Sequence, residues 1–368
     1  MRKNIWPTVV GMMLTLVSCD KIELREFIED RYVPQPMDTV KVVNNYYLDG
    51  YESHNNLDTN EGVQLAAVNL FHDGNELYVA NYANKSVDVF NIDNFTYQRS
   101  IRNQERTEAR DVYAEGDHLF VAAGKNREVQ IFNKKTGEYL TRLGTGNWST
   151  SNVSWAGCVC ATPQFVFVRD SKETNIRVFD REAIDLKAEN NNKVFSKLTT
   201  GGDFIGSKIE PMENSYDMEV IGDSLYAFIP NSGTIYAWSV ADIANNKDAA
   251  QVVVSKMETT KIRSIAKTDD ANKFFVSIVI NGKMQLAEYS LLDIQTRNFN
   301  SPIRCFVSDT RVSLPAQPIV AYHNEHLIIT NTPKLERWEI RNNPSYEIVP
   351  FSNGAVNSLY YITASGRP

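Results

Sequence analysis

Thiol and imidazole groups, the side chains best suited to metal binding, are few in this chain and far apart. Of the four cysteines, Cys158 and Cys160 lie two residues apart on one face of a predicted strand, and Cys305 is distant in sequence. A structural zinc site needs four Cys or His ligands in tetrahedral geometry, and none of the five histidines is near this pair. The pattern favours small buried hydrophobic residues, and a disulfide from Cys305 to one of the pair stays open.

The histidines fall where turns or loops are predicted. His323 and His326 flank a turn, His72 and His118 occupy related turn positions, and His54 lies in an Asn-rich loop. The pattern places no histidine near a central channel. We therefore expect no metal site and no metal-dependent lactonase or lyase chemistry.

Carboxylates that act in acid–base catalysis must converge within several ångströms, which here requires the innermost strands of the repeats described below. The polar residues of those predicted strands are Arg110, Asp111, Asp217, Glu219, Arg263, Ser264 and Gln317. Arg110 with Asp217 or Arg263 is predicted to form a charged channel that recognises an anionic or hydroxyl-rich ligand. The alternative is a water-filled, salt-bridged channel that binds no ligand.

Amide and aromatic side chains follow the predicted second strands, at one rim, where they would suit sugar stacking and hydrogen bonding. These loops carry Asn81, Tyr82, Lys125, Asn126, Arg169, Asp170, Asn231 and Asn331. Trp148 and Trp155, in and just beyond the loop Gly144-Thr145-Gly146-Asn147-Trp148-Ser149, mark a second candidate surface. The alternative for either ring is packing against a neighbouring structural unit.

Composition and missing motifs argue against several classes of function. The chain has 38 Lys and Arg against 45 Asp and Glu, a net charge of -7 and a pI near 5.4. Nucleic-acid binding needs clustered cations and is disfavoured. No Gly-rich phosphate loop, nucleophile elbow, zincin helix or calcium-loop spacing occurs. We therefore assign no catalytic residue, no metal ligand and no cofactor.

A length of 368 residues predicts either two domains or one large repeat architecture, and a repeat is visible. A strand-like triplet is followed 11 to 15 residues later by an aromatic residue, six times over. The triplets begin at Leu77, Leu119, Phe165, Leu225, Phe274 and Leu327, and the aromatic residues are Phe90, Phe132, Phe179, Trp238, Tyr289 and Trp338. Insertions lengthen the third copy at 185–193 and precede the fourth at 199–213.

The clearest copy, over residues 107–143, divides into four short strands, at 109–114, 118–123, 128–133 and 138–143, with no helical period between them. Four short strands per 40 to 60 residues are typical of a β-propeller blade. The sequence predicts an all-β propeller of six four-stranded blades. A strand-like segment at 355–364 allows an alternative of seven, in which both termini build a composite blade; otherwise that segment closes the ring against residues 39–48.

The repeats also resemble known propeller families. Leu77-Tyr78-Val79-Ala80-Asn81-Tyr82-Ala83-Asn84-Lys85-Ser86-Val87-Asp88-Val89-Phe90 resembles the YVTN-type repeat, and the copy that starts at Thr107 is similar to NHL-type and LVIVD-type repeats. The resemblance implies a β-propeller of a kind that mostly serves as a binding scaffold. It carries no functional residue over to this chain, because the repeat residues are structural.

The N-terminus has the pattern of a cleavable signal. Arg2 and Lys3 precede a short apolar stretch that is too short to span a membrane. Leu16-Val17-Ser18-Cys19 resembles the lipobox of bacterial lipoproteins, which implies cleavage before Cys19 and acylation of that residue. The acidic residues that follow resemble the surface-export signal of Bacteroidota lipoproteins. We predict a signal peptide over 1–18, an acylated tether over 19–38 and one propeller domain over 39–368.

Together these features predict a lipid-anchored cell-envelope protein of the outer membrane that binds a glycan or a protein partner, and exposure at the cell surface stays open. Two other classes remain open. A propeller enzyme of the polysaccharide lyase, glycosidase or lactonase type would need convergent carboxylates or a metal cluster in the channel. A purely structural envelope protein would show no ligand-like cluster in its loops.

Overall fold

The computed structural model describes residues 39–54, 65–103, 108–170, 175–199, 217–229, 234–245, 251–254, 260–280, 282–296, 298–299, 301–308, 314–315, 318–331, 334–349 and 360–363. The chain divides into two compact units, one over Leu48–Arg341 and one from the residues on either side of it. The predicted signal peptide, the tether and Cys19 lie outside the described residues.

Within the described residues, the larger unit contains six antiparallel sheets of four strands. The first three are β3 (Ala67–Asp73), β4 (Glu76–Asn81), β5 (Ser86–Asn91), β6 (Tyr97–Ile101); β7 (Ala109–Glu115), β8 (His118–Ala123), β9 (Glu128–Asn133), β10 (Tyr139–Leu143); and β11 (Ala156–Ala161), β12 (Phe165–Asp170), β13 (Asn175–Asp180), β14 (Ser196–Thr199). The next two are β15 (Asp217–Ile221), β16 (Ser224–Ile229), β17 (Thr234–Ser239), β18 (Gln251–Val254); and β19 (Thr260–Lys267), β20 (Lys273–Ile280), β21 (Lys283–Ser290), β22 (Arg304–Val307). The sixth is β23 (Val320–His323), β24 (His326–Asn331), β25 (Lys334–Asn342) and β2 (Tyr46–His54).

These sheets are the blades of a propeller. The first strand of each blade contacts the first strand of the next, and β23 contacts β3, so the six inner strands close a ring. The sixth blade takes its outermost strand, β2, from the N-terminal side of the chain. This pairing covers the outer edge of β25 with a strand from the other end of the chain. The predicted six four-stranded blades are confirmed, and no composite seventh blade forms in the described part of the chain.

The second unit contains a three-stranded antiparallel sheet. Its strands are β1 (Thr39–Val43), β26 (Ser345–Val349) and β27 (Tyr360–Thr363), with β26 in the centre. Asn45 supports the pairing of β1 with β26, since its amide donates to the backbone oxygen of Asn343 over 3.1 Å and to Ser345 Oγ over 2.9 Å. The C-terminal strand predicted within 355–364 therefore exists as β27, in this sheet.

The repeated aromatic residues lie in the propeller core. All six are buried; five lie one residue before the end of the third strand, and Trp338 lies in the middle of β25. A fully buried side chain of this size stabilises the fold by roughly 1.5–3 kcal/mol. Because each blade packs between two others, both faces of its strands are apolar, which explains why alternation along the second strands is weak.

Helical structure is limited to short connectors in the described residues: the 3₁₀ turn Gly124–Asn126, α1 (Val240–Ala244) and α2 (Leu291–Thr296). Ser239 caps α1 by accepting a hydrogen bond from the Asp242 backbone N–H. Within the part of the chain that is described, no helix has the length and apolar character needed to cross a membrane.

Candidate functional site

The inner strands surround a central cavity of about 200 Å³. Its walls come from β3, β7, β11, β15, β19 and β23, so one strand of every blade contributes. The polar side chains on these walls are those of Asn69, His72, Asp111, Tyr113, Asp217, Glu219, Lys267 and Thr268. The predicted convergence of first-strand polar residues is thus present, with three carboxylates among them.

Two of these carboxylates hold neighbouring blades together. Asp111 accepts the backbone N–H of Val159 in the next blade over 2.7 Å, and Asp217 accepts that of Ile265 over 2.8 Å. Burial raises the pKa of Asp111 to about 7, and burial together with the Asp111 carboxylate raises the pKa of Asp217 well above its ordinary value. Ser264 plays a similar part, because its hydroxyl oxygen accepts a backbone N–H from the sixth blade.

The third carboxylate belongs to a closed polar cluster. Lys267 Nζ lies 2.6 Å from Glu219 Oε1 and 3.1 Å from the Tyr113 hydroxyl, which itself donates to Glu219 over 3.1 Å. Burial by itself would lower the pKa of Lys267, but the Glu219 carboxylate raises it above its ordinary value. The cluster joins the second, fourth and fifth blades through side chains that satisfy one another.

His72 lines the central cavity, so the prediction that no histidine lies near the channel was wrong. The strand β3 continues through Asp73, which places His72 within the strand and on the cavity wall. Burial, and then the nearby His323, lower the pKa of His72 to about 4. The imidazole is therefore neutral at physiological pH. The predicted hairpin at His323 and His326 is confirmed by their direct pairing across its turn.

Of the predicted channel residues, Asp217 lines the cavity and Arg110 does not lie among the residues of its wall. A register shift between Ala109 and Asp111 leaves Arg110 on a bulge. Its guanidinium stacks on the Tyr82 ring, with Cζ 4.2 Å from the ring centroid. The side chain of Arg263, like Gln317 and Asn231, lies outside the described residues.

Two residues predicted at the accessible rim are in fact inside the blades. Asn81 has no exposed surface; it donates to Asp88 over 2.7 Å and accepts the Ala66 backbone N–H over 3.1 Å. Arg169 is 1% exposed. The second strands run further than the triplets suggested, so their last residues remain in the core. Both side chains are therefore buried within their blades.

The candidate surface marked by Trp148 is an open polar pocket of about 530 Å³ beside the second blade. Trp148 stands at its edge and is 65% exposed. The Arg127 guanidinium lies over the indole, with Cζ 4.3 Å from the ring centroid. The other lining residues are Lys125, Asn126, Glu128, Arg142, Thr145, Gly146, Asn147 and Glu189.

A buried ion pair forms the floor of this pocket. Arg142 bridges Glu128 over 3.1 Å and Glu189 over 2.7 Å. Gly146 crosses directly above, at φ +70°, where an added Cβ would lie 3.0 Å from a Glu128 carboxylate oxygen and 3.3 Å from the Arg142 guanidinium. Glycine is therefore required at this position both by the backbone conformation and by the space.

The loop that presents Trp148 is fixed by its own polar groups. The Ser151 hydroxyl donates to the Arg127 backbone oxygen over 3.0 Å and accepts the N–H of Thr145 over 3.1 Å. Asn152 donates two hydrogen bonds to Asn192 in the insertion of the third blade, from its backbone N–H to the side-chain oxygen over 2.7 Å and from its side-chain amide to the backbone oxygen over 2.6 Å. A loop held in this way loses little conformational freedom when a ligand binds.

Of the two loop tryptophans, one packs against a neighbouring blade and the other is exposed. Trp155 packs against the neighbouring blade, because a Cβ added to Gly124 would lie only 2.8 Å from its indole nitrogen. Trp148 remains exposed. Three charged residues of this pocket were not identified from the sequence, namely Arg142 on β10, Glu128 on β9 and Glu189 in the insertion of the third blade. The only sequence signal for them was the added length at 185–193.

The thiols do not form a reactive or metal-binding centre in the described structure. Cys158 and Cys160 are fully buried in the core, and they and Cys305 are free thiols. Burial raises the pKa of both core thiols well above the ordinary value. Among the described residues there is no group of three or more His, Cys, Asp or Glu side chains placed to hold a metal ion.

Comparison with known proteins adds little beyond the fold. No protein-family model matches the chain, and no curated protein matches it. Among solved structures it is similar to the crystal structure of the Cps50 (Swd1) β-propeller domain of Myceliophteria thermophila, with 9% identity and a TM-score of 0.46 over 74% of this chain and 96% of that one. A likeness at this level carries no argument about function. The more specific resemblance to YVTN-, NHL- and LVIVD-type repeats stays a prediction.

Proposed function

We propose that this protein is a cell-envelope lipoprotein whose propeller is a binding module, and that it binds a glycan at the Trp148 pocket. The observation that carries the proposal is the exposed indole of Trp148, held by a fixed loop at the edge of a pocket lined by charged and amide groups. A rigid disc of blades suits recognition, since it keeps its loops in fixed positions.

The chemistry of the pocket supports a carbohydrate over an apolar ligand. An indole offers a flat apolar surface for the C–H face of a sugar ring, while its polar surroundings hydrogen-bond hydroxyl groups. Asn126, Asn147 and Thr145 supply amide and hydroxyl groups on the same pocket. An exposed ring next to ready hydrogen-bonding partners is therefore complementary to a saccharide.

The central cavity supports a structural role for its carboxylates. Asp111 and Asp217 accept backbone N–H groups from adjoining blades, and Glu219 is paired with Lys267. A general acid or base in this cavity would have to be one of these carboxylates, which already hold the blades together. The carboxylates converge, as an enzyme would require, but their hydrogen bonds favour the binding module.

The envelope location rests on the sequence pattern. The lipobox-like Leu16-Val17-Ser18-Cys19 supports cleavage before Cys19 and anchoring of the mature chain by acyl groups on that residue. Incorporation of labelled palmitate into the full-length protein, and its loss in Cys19→Ser, would support the anchor. Undiminished incorporation in Cys19→Ser would rule out acylation at this residue.

Glycan binding is tested with the soluble protein beginning at Tyr32, titrated calorimetrically with a panel of neutral and acidic oligosaccharides. Because an aromatic contact contributes about 0.5–1.5 kcal/mol, Trp148→Ala should weaken binding by roughly 2- to 10-fold. Leu292→Ala is the matched control, since Leu292 is 64% exposed on the fifth blade. Equal binding by Trp148→Ala and the wild type would refute the assignment of this pocket. A panel without any binding would favour an envelope-protein partner.

A further inference from the structure

Arg127 differs from the other arginine of the Trp148 pocket in having no ionic partner among the described residues. Arg142 is neutralised by two carboxylates on the pocket floor. Arg127 forms no salt bridge with any residue that the structure describes, and its Nε is a buried donor that lacks a hydrogen-bond partner within the same part of the chain. Because no described carboxylate pairs with it, the Arg127 guanidinium is available for an ion pair with an anionic ligand.

The local charge of the pocket is opposite to that of the chain. Its lining contains three cations, Lys125, Arg127 and Arg142, and two carboxylates, Glu128 and Glu189, which leaves a formal charge of +1. The whole chain carries -7. Lys125 is 68% exposed in its side chain and only loosely paired, with 3.6 Å to Glu108. The lining of this pocket thus favours an anionic ligand although the chain as a whole is acidic.

The position of Arg127 is fixed before any ligand binds. Its backbone N–H donates to the Gly124 oxygen over 3.0 Å, and its backbone oxygen accepts the Ser151 hydroxyl over 3.0 Å. The face of the guanidinium rests on the Trp148 ring. Stacking uses the face of this planar group, whereas its N–H donors point outward along the edge, in the geometry that binds a carboxylate through two parallel hydrogen bonds.

We propose, on the basis of the glycan-binding function above, that the Trp148 pocket selects acidic saccharides and that Arg127 binds the carboxylate of a hexuronate residue. Trp148 orients the guanidinium and supplies the apolar contact with the sugar. Arg127 is then the residue that determines specificity, and a neutral sugar of the same shape would leave its donors unpaired.

The test compares a galacturonate trimer with the corresponding neutral galactose trimer, by calorimetry on the soluble protein. Wild type should bind the uronate at least about 10-fold more tightly, since a charge-assisted hydrogen bond to a ligand contributes about 1.5–3 kcal/mol. Arg127→Gln should abolish this preference, measured as the ratio of the two affinities. Arg127→Lys should keep part of the preference for the uronate, because a lysine keeps the positive charge but lacks the two parallel N–H donors of the guanidinium.

Lys135→Gln is the matched control for loss of one positive charge, because Lys135 is exposed in the turn between β9 and β10, outside the pocket lining. Equal affinity of the wild type for the two trimers would overturn the proposal while leaving glycan binding intact. A preference that survives in Arg127→Gln, or falls equally in Lys135→Gln, would also overturn it. If neither trimer nor any other saccharide binds, the proposed function fails as well.

Discussion

Substitution of Asp111 by asparagine should change how the stability of the propeller depends on pH. The Asp111 side chain is 4% exposed, and its two oxygens accept the backbone N–H groups of Val112 over 2.8 Å and Val159 over 2.7 Å. Burial raises its pKa to about 7 in spite of these bonds, and the nearby Glu219 carboxylate raises it further. The Cys158 thiol also hydrogen-bonds to it.

The sign follows from proton binding. The unfolded chain has an ordinary aspartate pKa near 3.8, so between that pH and about 7 the folded state holds the proton more tightly. The stabilisation is fully present below pH 3.8 and is lost as the pH rises through 7. Raising the pKa of Asp111 from 3.8 to about 7 contributes about 4 kcal/mol to the unfolding free energy at low pH. Roughly 2–3 kcal/mol of this contribution is lost between pH 5 and pH 8.

The asparagine of Asp111→Asn cannot ionise, so the unfolding free energy of the variant does not fall in this way as the pH rises. Its amide oxygen can accept one of the two backbone N–H groups but its amino group cannot accept the other, which costs about 1–3 kcal/mol at every pH. The difference in unfolding free energy between the variant and the wild type should therefore move by about 2–3 kcal/mol in favour of Asp111→Asn from pH 5 to pH 8.

Urea unfolding of the soluble protein at pH 5, 6, 7 and 8, followed by tryptophan fluorescence, measures this difference. Asp117→Asn is the control, because Asp117 is an exposed carboxylate in the adjacent β7–β8 turn. A difference between Asp111→Asn and wild type that stays constant with pH would refute the argument. It would show that the hydrogen bonds to the carboxylate outweigh its burial.

Three further outcomes are expected. His72, whose pKa is lowered to about 4, should resist protonation in the folded protein, so stability falls as the pH drops from 6.5 to 4; His72→Gln should remove part of that fall in urea titrations. Gly146→Ala should destabilise the protein by about 1 kcal/mol in thermal unfolding, since alanine is strained at φ +70°, and should weaken binding at the pocket beneath it. In the soluble protein without denaturant, a water-soluble thiol reagent should label Cys305 at most, whereas the fully buried Cys158 and Cys160 should react only on unfolding.

Each of these expectations has a contrary result. An ordinary titration near pH 6.5 in the histidine NMR signal of His72 would show that this side chain is solvated. Unchanged stability and binding in Gly146→Ala would mean that the loop can relax away from the ion pair below. Labelling of two or three thiols in the native protein would show that the third blade opens readily.

The blade pattern was readable from the sequence because it is local. In the second blade, the predicted strands at His118–Ala123 and Glu128–Asn133 coincide with β8 and β9, and the predicted core aromatic residues are buried. The rim was less predictable. The ends of strands depend on packing between blades, so Asn81 and Arg169 were placed at the surface although they lie inside.

The candidate site was readable only in part. Trp148 stood out because a tryptophan in a Gly-rich loop is unusual, and its exposure was one of two alternatives. The ion pair at the floor of the Trp148 pocket could not be predicted from the sequence. Arg142 and Glu189 are 47 positions apart in the chain, and no local sequence pattern indicates such a contact. The two loop tryptophans looked equivalent in sequence and differ only because Trp155 is packed against Gly124.

The sequence by itself determined the repeat, its six copies and the aromatic residue of each copy, since hydrophobic spacing and turn residues act within a few positions of the chain. The tertiary structure decided everything that depends on convergence. It placed Asp111 and Asp217 against backbone N–H groups of other blades, and it placed Arg127 on an exposed indole with no ion pair to any described residue. The packing of the blades around the ring sets the distances between residues that are far apart in the chain. Those distances in turn determine the burial, the charge pairing and the chemistry of each side chain.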